Sequence, residues 1–484
     1  MKELQDIIQN IPTINIIGTT NKEITSIVTD SRKVNFGSLF VAIRGISADG
    51  HSFIPRAIEL QASVIVCETL PATIIDSVTY IQVENTQLTL GLLLNNYYDN
   101  PVSKLKIVGV TGTNGKTSVA TLLYNMFTDL GYNSGLISTI VYKVKDKVFP
   151  ASHTTPDTIG LYTMINTMVE EGCTHCFMEV SSHAIHQNRI AGLQFTGAIF
   201  TNITHDHLDY HKTFEEYIRV KKMWFDNLPP TAFALVNTDD KNGKVMIQNT
   251  KAKTYTYSCK SFTDFKCKII QQYPDSTHLQ IDGQEVWVRL IGDFNAYNIL
   301  AVYATAILLG ENKTEVLKTL SKQKPPHGRF ECFTSKNNVT VILDYAHTPD
   351  ALLNVLTTIE KLNEKGGQII TVFGAGGDRD ATKRPIMGRV TSEKSSKVII
   401  TSDNPRSENP QTIAEDIFKG IPTHLHRNVL KILDRREAIK TAIVMAQAGD
   451  IILVAGKGHE TYQEVQGVKH HFDDKEVILE LLNI

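Results

Sequence analysis

Between Lys106 and Ser118 the chain reads Lys-Ile-Val-Gly-Val-Thr-Gly-Thr-Asn-Gly-Lys-Thr-Ser, and no other stretch narrows the available folds as much. A β-branched run long enough for one buried strand stops at glycines, a lysine and hydroxyl residues, and a helical pattern follows from Val119 to Leu130. This is a phosphate cradle. Gly112, Thr113, Asn114 and Gly115 let backbone N–H groups close around phosphate oxygens, and the helix that carries Ser118 presents its positive end. Lys116 reaches the terminal phosphates, and the Thr117 hydroxyl is placed to ligate magnesium. The spacing departs from the strict P-loop, because Val110 stands at the first glycine position and the loop uses Gly112 instead.

At 484 residues the chain exceeds what one core organises, and about three domains are expected at roughly 150 residues each. A formal charge of −2 lacks the basic excess of a nucleic-acid binder, so small molecules are the expected partners, with no membrane and no nucleic acid. Six cysteines without a regular framework point to reduced thiols inside the cell. The N-terminus lacks the apolar core of a signal peptide and no run approaches transmembrane length, so a cytoplasmic monomer is expected.

The fold class expected is α/β in three domains. Residues 1–103 read as a small α/β domain, with strands at Ser26 to Val28, Leu39 to Ile43, Val64 to Cys67 and Tyr80 to Val83. Its polar stretches, Thr29-Asp30-Ser31-Arg32 and Arg44 to His51, fall at strand ends, where such sheets bind ligands. Residues 104–335 continue from the phosphate loop as a doubly wound domain. Glu179 and the His205-Asp206-His207 cluster end later strands, and in a parallel sheet they would face the phosphate loop and share magnesium with Thr117. Zinc is the sharper competitor, but carboxylates beside a phosphate loop favour magnesium. Cys173-Thr-His-Cys176 has no second pair at zinc-ribbon spacing, so strand-edge thiols are expected there. Thr254 to Tyr257 and Val286 to Leu290 are expected to form an antiparallel region, followed by a buried helix from Ala296 to Leu309. Residues 336–484 read as a Rossmann-like domain. Four of its strands lead into Asp344-Tyr-Ala-His, Gly374 to Arg379, Asp403-Asn-Pro-Arg and Gly456 to Glu460, which together indicate a second ligand site.

Taken together, Gly112 to Thr117, Glu179-Val-Ser-Ser-His183, Asp206-His-Leu-Asp209, Phe294 to Asn298, Gly328-Arg-Phe-Glu331 and Asp344-Tyr-Ala-His347 resemble the ATP-dependent Mur ligases of peptidoglycan synthesis. Thr29 to Arg32, Ala48-Asp-Gly-His51, Asp403 to Arg406 and Gly456 to Glu460 resemble the branch adding the third residue of the stem peptide. The resemblance spans all three domains. It implies joining a diamino acid to UDP-MurNAc-L-Ala-D-Glu at the expense of ATP, through an acyl phosphate.

The resemblance also distributes roles. Lys116, Glu179, His207 and Lys221 would be catalytic, with Thr117, Glu179, His207 and a carbamylated Lys221 as magnesium ligands. Asn298, Arg329 and Asp344 would sit near the adenine, phosphates and ribose of ATP. Thr29, Ser31, Ile46, Ser47 and Ala48 would hold the UDP moiety. Thr154, Thr155, Ser181, Gln187 and Arg189 would line the MurNAc-dipeptide channel, with His153 standing where asparagine is expected. Arg384, Asp403, Asn404, Pro405, Arg406, Gly456 and Glu460 would contact diaminopimelate. Arg406 supplies the physical argument for that amino acid. Meso-diaminopimelate differs from lysine by a distal carboxylate, which calls for a bidentate cation, whereas lysine would leave a buried guanidinium unpaired. The alternatives are L-lysine addition, a dipeptide-adding ligase, folylpolyglutamate synthase, a nucleotide-regulated binding protein without catalysis, and a P-loop transport ATPase or GTPase.

Overall fold

Parallel strands buried on both faces read as near-continuous apolar runs, and runs of that kind form the sheets here. The structure, a computed structural model, describes all residues except 46, 47, 364, 365, 483 and 484. Its contacts divide the chain into two units: Met1–Gly109, Gly131–Ala198 and Asn227–Ala232 in one, Val110–Leu130, Ile199–Asp226 and Phe233–Ile484 in the other. Among the described residues no helix is long and apolar enough to cross a membrane.

In the first unit, one sheet runs Asn15–Ile17, Thr79–Gln82, Val64–Cys67, Ser38–Val41, Ser26–Val28. The last four strands are parallel and the first is antiparallel. Phe40, Ile65 and Tyr80 are fully buried on one face. The Thr29–Arg32 and Arg44–His51 stretches thus follow the carboxyl ends of two neighbouring parallel strands. The same unit contains Ser134–Ile137, parallel to His175–Glu179, and the hairpin Val141–Val144 with Lys147–Pro150. Cys176 lies inside the strand His175–Glu179 and is wholly buried, and burial raises its thiol far above the usual range.

In the second unit, Lys253–Ser258 pairs in parallel with both Phe233–Asn237 and Phe265–Gln272. This corrects the antiparallel expectation for Thr254 to Tyr257. Antiparallel pairing begins one strand later, where Phe265–Gln272, Thr277–Ile281 and Gln284–Val288 form a meander. The Ser258 to Phe265 connection is too short to announce a crossover in sequence. The C-terminal sheet runs Glu331–Thr334, Thr340–Asp344, Ile451–Ala455, Ile369–Phe373, Lys397–Ile400, Val429–Lys431, and only its first strand is antiparallel. Successive residues alternate between two cores. Ile342, Phe373, Ile400 and Leu453 pack with Leu356, Met387 and Ile417, while Val341, Val372, Ile399 and Val454 pack with Ile439 and Ile478. Helices therefore cover both faces, and the carboxyl ends of four parallel strands, at Asp344, Phe373, Ile400 and Ala455, share one edge.

Candidate functional site

The phosphate loop joins the strand Lys106–Thr111 to the helix Lys116–Asp129, which starts three residues earlier than its apolar pattern indicates. Its two glycines are required by shape. A Cβ on Gly112 would lie 1.9 Å from Thr201 Oγ1, and Gly115, at φ +89°, would place one 2.6 Å from Asn298 Oδ1. The loop is fixed from outside by Thr113 N donating to Asn202 O (2.8 Å), Asn114 N donating to Asn202 Oδ1 (2.9 Å) and Thr201 Oγ1 donating to Asn114 O (2.6 Å). Lys116 Nζ folds over the loop onto the carbonyls of Gly112 (2.8 Å) and Thr113 (2.9 Å).

Asn298 and Arg329, expected near the nucleotide, come to this loop, and Asp344 lies near Arg329. Asn298 lies against Gly115, and its Nδ2 donates to Asn295 Oδ1. Arg329 Nη2 donates to Thr117 Oγ1 (3.1 Å) while its guanidinium covers the Tyr345 ring at 4.4 Å. Asp344 is buried and accepts from Phe330 N and Ala346 N at 2.7 Å each, yet burial still raises its carboxyl above the usual range. Ser118 is buried in the first turn of the helix.

The His-Asp-His segment lies on the same loop, with Thr204 N donating to Thr113 Oγ1. His207 adopts a left-handed backbone at φ +56° and its N–H donates to Asp206 Oδ1. Burial alone would raise the Asp206 carboxyl, but His207, Lys383 and His347 hold it far below the usual range. Lys383 Nζ lies 3.6 Å from Asp206, and His205 Nε2 lies 2.8 Å from Asp380, so this segment is tied to the loop after Ile369–Phe373. Lys221 is buried, with Nζ donating to Thr111 Oγ1 and Gly112 O at 3.2 Å each. Burial, reinforced by Lys116, pushes its pKa well below that of an ordinary lysine and favours the neutral amine, the form that carbon dioxide can carbamylate.

In the first unit the other expected residues form a second network. Thr139 N donates to Glu179 Oε1 (2.6 Å), and Glu179 Oε2 is buried without a hydrogen-bond partner among the described residues. An orphaned carboxylate oxygen in a dry setting is a fit for a cation ligand. Thr155 Oγ1 donates to Glu179 O (2.8 Å) and accepts from Ser181 N (3.2 Å). Arg189 donates to Thr155 O and Gln187 Oε1, and Thr139 Oγ1 donates to Thr154 Oγ1. The backbone of His153 is held from both sides by the Tyr142 hydroxyl. Near the N-terminus, Asp30 caps the turn holding Ser31, and the Arg32 guanidinium beside it lowers its carboxyl to about 2. Thr29 precedes that cap, and Ala48 O accepts from Gly45 N. Ile46 and Ser47 lie outside the described residues. Among the described residues, no three His, Cys, Asp or Glu side chains form a ready metal cluster.

The edge expected to take a second ligand is built by Asp403–Arg406 and Gly456–Glu460. Asn404 Nδ2 donates to Glu460 Oε2 (2.7 Å), and the fully buried Lys457 lies 3.3 Å from the same oxygen. Burial, with the neighbouring Asp403 charge, raises the Glu460 carboxyl. Gly456 sits at φ +113°, where a Cβ would meet Asp403 Oδ2 at 2.6 Å. Pro405 is buried and its carbonyl accepts from Glu408 N. Arg406, at φ +51°, directs Nη1 to Gly377 O (2.6 Å). Arg384 is committed elsewhere, since its guanidinium is 2% exposed and divided between Glu408 (2.8 Å) and Asp416 (3.2 Å). Arg379, which ends the Gly374 to Arg379 stretch but was not among the expected diaminopimelate contacts, is exposed, and a Cβ on Gly376 would lie 2.9 Å from Arg406 Nη1 and 3.8 Å from Arg379 Cγ. The hairpin Tyr462–Val465 with Val468–His471, also unforeseen, lies along the Asp403–Ser407 turn.

A glycine-built loop between a strand and a helix, with a charged edge at the carboxyl ends of the C-terminal parallel strands, fits a nucleotide-using α/β enzyme. Sequence profiles for the Mur ligase family catalytic domain, the Mur ligase middle domain and the Mur ligase glutamate ligase domain match residues 23–98, 110–306 and 328–458. A UDP-N-acetylmuramoyl-L-alanyl-D-glutamate--2,6-diaminopimelate ligase of Cytophaga hutchinsonii is 56% identical over 484 residues, 99% of each chain. The protein of the same name from Phocaeicola vulgatus is 53% identical over 479 residues, again 99% of each chain. A solved structure of a ligase of that name superposes with a TM-score of 0.70 at 30% identity, over 100% of this chain and 99% of the other. The chain belongs to the Mur ligase family and is an ATP-dependent ligase.

Proposed function

We propose that this ligase adds meso-diaminopimelate to UDP-MurNAc-L-Ala-D-Glu. The observation that carries the choice of amino acid is the charged edge in which Arg406 stands near the Asn404–Glu460 pair. The distal end of diaminopimelate is a zwitterion, and this edge offers a guanidinium for its carboxylate and a carboxylate for its ammonium. Arg379 takes the place of Arg384 as the second cation, because Arg384 is already neutralised by two carboxylate partners.

The γ-carboxylate of D-Glu attacks the γ-phosphorus of ATP, giving an acyl phosphate and ADP. The amine then attacks the acyl carbon, loses a proton and expels phosphate. Lys116 neutralises phosphate charge in the first step, and so does Arg329, whose guanidinium donates to Thr117 Oγ1. Magnesium would supply further neutralisation, and the residues that the family resemblance names to hold it are Thr117, His207 and a carbamate on Lys221 in the second unit and Glu179 in the first. Thr154, Thr155, Ser181, Gln187 and Arg189 orient the dipeptide, and Thr29, Ser31 and Ala48 hold the uridine diphosphate end. ATP and the two carboxylate substrates are the only partners required, and a cytoplasmic monomer suits them.

Phosphate release by the purified protein with ATP, magnesium and UDP-MurNAc-L-Ala-D-Glu tests this. Release with meso-diaminopimelate and not with L-lysine is expected. Release with lysine alone would keep the ligase and discard the argument from Arg406.

A further inference from the structure

Arg406 holds a backbone conformation that an arginine rarely adopts, and the element that imposes it is the hairpin beginning at Tyr462. Arg406 N donates to Glu464 O (3.0 Å), and Gln466 N donates back to Arg406 O (2.7 Å). Glu464 N donates to Asn404 Oδ1 (2.9 Å), Gln463 Nε2 to Asp403 O (2.8 Å) and Gln466 Nε2 to Ser407 O (3.2 Å). The hairpin thus clamps the whole Asp-Asn-Pro-Arg turn through backbone bonds and glutamine amides. The side chain of Glu464 has no share in that clamp. Its Oε2 instead lies 3.6 Å from Arg406 Nε, with both side chains only 20–25% exposed.

That placement matters because another nitrogen of the guanidinium, Nη1, is already engaged by Gly377 O at 2.6 Å. Before any amino acid binds, the carboxylates that face the Arg406 charge belong to the protein: Glu464, and Asp378, whose carboxyl that charge helps to lower. The Glu464 distance is too long for a tight ion pair, so the contact compensates charge without locking the geometry. We propose that Glu464 is a specificity-tuning residue, an internal counter-ion of Arg406 whose place the distal carboxylate of the incoming amino acid takes. This rests on the diaminopimelate reading given above. Two effects follow from the charge of Glu464. It competes with a distal carboxylate for Arg406, which weakens diaminopimelate binding. It also spares Arg406 from standing unpaired when lysine is bound, which strengthens lysine binding. Both effects lower the preference for diaminopimelate.

Glu464→Gln tests the idea in the full-length enzyme, because it removes the charge and keeps every backbone bond of the clamp. Steady-state kcat and KM are measured for meso-diaminopimelate and for L-lysine. The ratio of kcat/KM for diaminopimelate over lysine is expected to rise about 10-fold, the effect of some 1.4 kcal/mol, through KM with kcat little changed. Glu464→Asp should restore a ratio within about twofold of wild type, since it restores the charge. Glu464→Met is run in parallel, so that the conclusion does not depend on one folded variant. A ratio that stays the same or falls in Gln and Met variants of wild-type melting temperature overturns the proposal. Wild-type enzyme that releases no phosphate with diaminopimelate overturns the underlying function instead, and this inference with it.

Discussion

Replacing Arg406 with alanine separates substrate recognition from folding. The backbone bonds of residue 406 to Glu464 and Gln466 do not involve its side chain, and alanine at φ +51° is strained to the same degree as arginine. The turn should therefore persist. What disappears is a partly buried guanidinium, 20% exposed, that faces the amino-acid edge. A charge-assisted contact to a carboxylate contributes about 1.5–3 kcal/mol, and partial exposure argues for the middle of that range. A loss of about 2 kcal/mol corresponds to a roughly 30-fold fall in kcat/KM for meso-diaminopimelate. Lysine has no distal carboxylate to lose, so its kcat/KM should hold or rise by a few fold. Initial rates of phosphate release at amino-acid concentrations below KM give both values directly. Equal losses with the two amino acids would refute the reasoning, because they would mark a distorted turn and not a missing contact.

Three other perturbations have definite outcomes. Asp474 holds Arg435 through two bonds of 2.7 Å with both side chains wholly buried, so Asp474→Ala should cost about 3–5 kcal/mol, read as a lower urea midpoint. Gly115→Ala forces a Cβ to within 2.6 Å of Asn298 Oδ1 at φ +89°, so KM for ATP should rise about 10-fold or more, and an unchanged KM would mean that the loop yields freely. Burial lowers His175 to about 4 and His459 to about 3 in the folded protein, against about 6.5 when unfolded. The unfolded state therefore takes up protons first, so stability is full above pH 6.5 and each histidine removes up to about 1.4 kcal/mol per unit as pH falls from there towards its folded value. Urea melts at pH 7, 6 and 5 should show that slope, and His175→Gln should reduce it.

Parallel strands and phosphate loop were legible because their signals are local. Apolar runs of five residues mark strands buried on both faces, and Gly112, Gly115 and Lys116 announce themselves within six positions. Strand direction was less accessible. Lys253–Ser258 carries the same β-branched and aromatic residues in either pairing, and its parallel register depends on partners beyond its own sequence. Helix starts were displaced for a related reason: Lys116 and Thr117 are polar because of the ligand they face, so the apolar period begins after the helix itself.

The two arginines show where sequence reasoning on sites reaches its limit. Arg379 and Arg384 lie five residues apart after the same strand, and both follow the glycines that approach Arg406. Nothing in the local sequence distinguishes them. The difference comes from Glu408 and Asp416, which are distant in sequence and reach Arg384 from the segment beyond the Asp-Asn-Pro-Arg turn. A guanidinium divided between two carboxylates has little attraction left for a third, so Arg384 braces the edge while Arg379 remains exposed to a ligand. The consequence is a contrast in phenotype. Arg384→Met should leave Glu408 and Asp416 without their buried partner and lower the melting temperature, whereas Arg379→Met should leave melting unchanged and raise KM for diaminopimelate about 10-fold. Differential scanning fluorimetry and amino-acid titrations on the two variants check both statements, and a raised KM confined to the Arg384 variant would return the ligand role to Arg384.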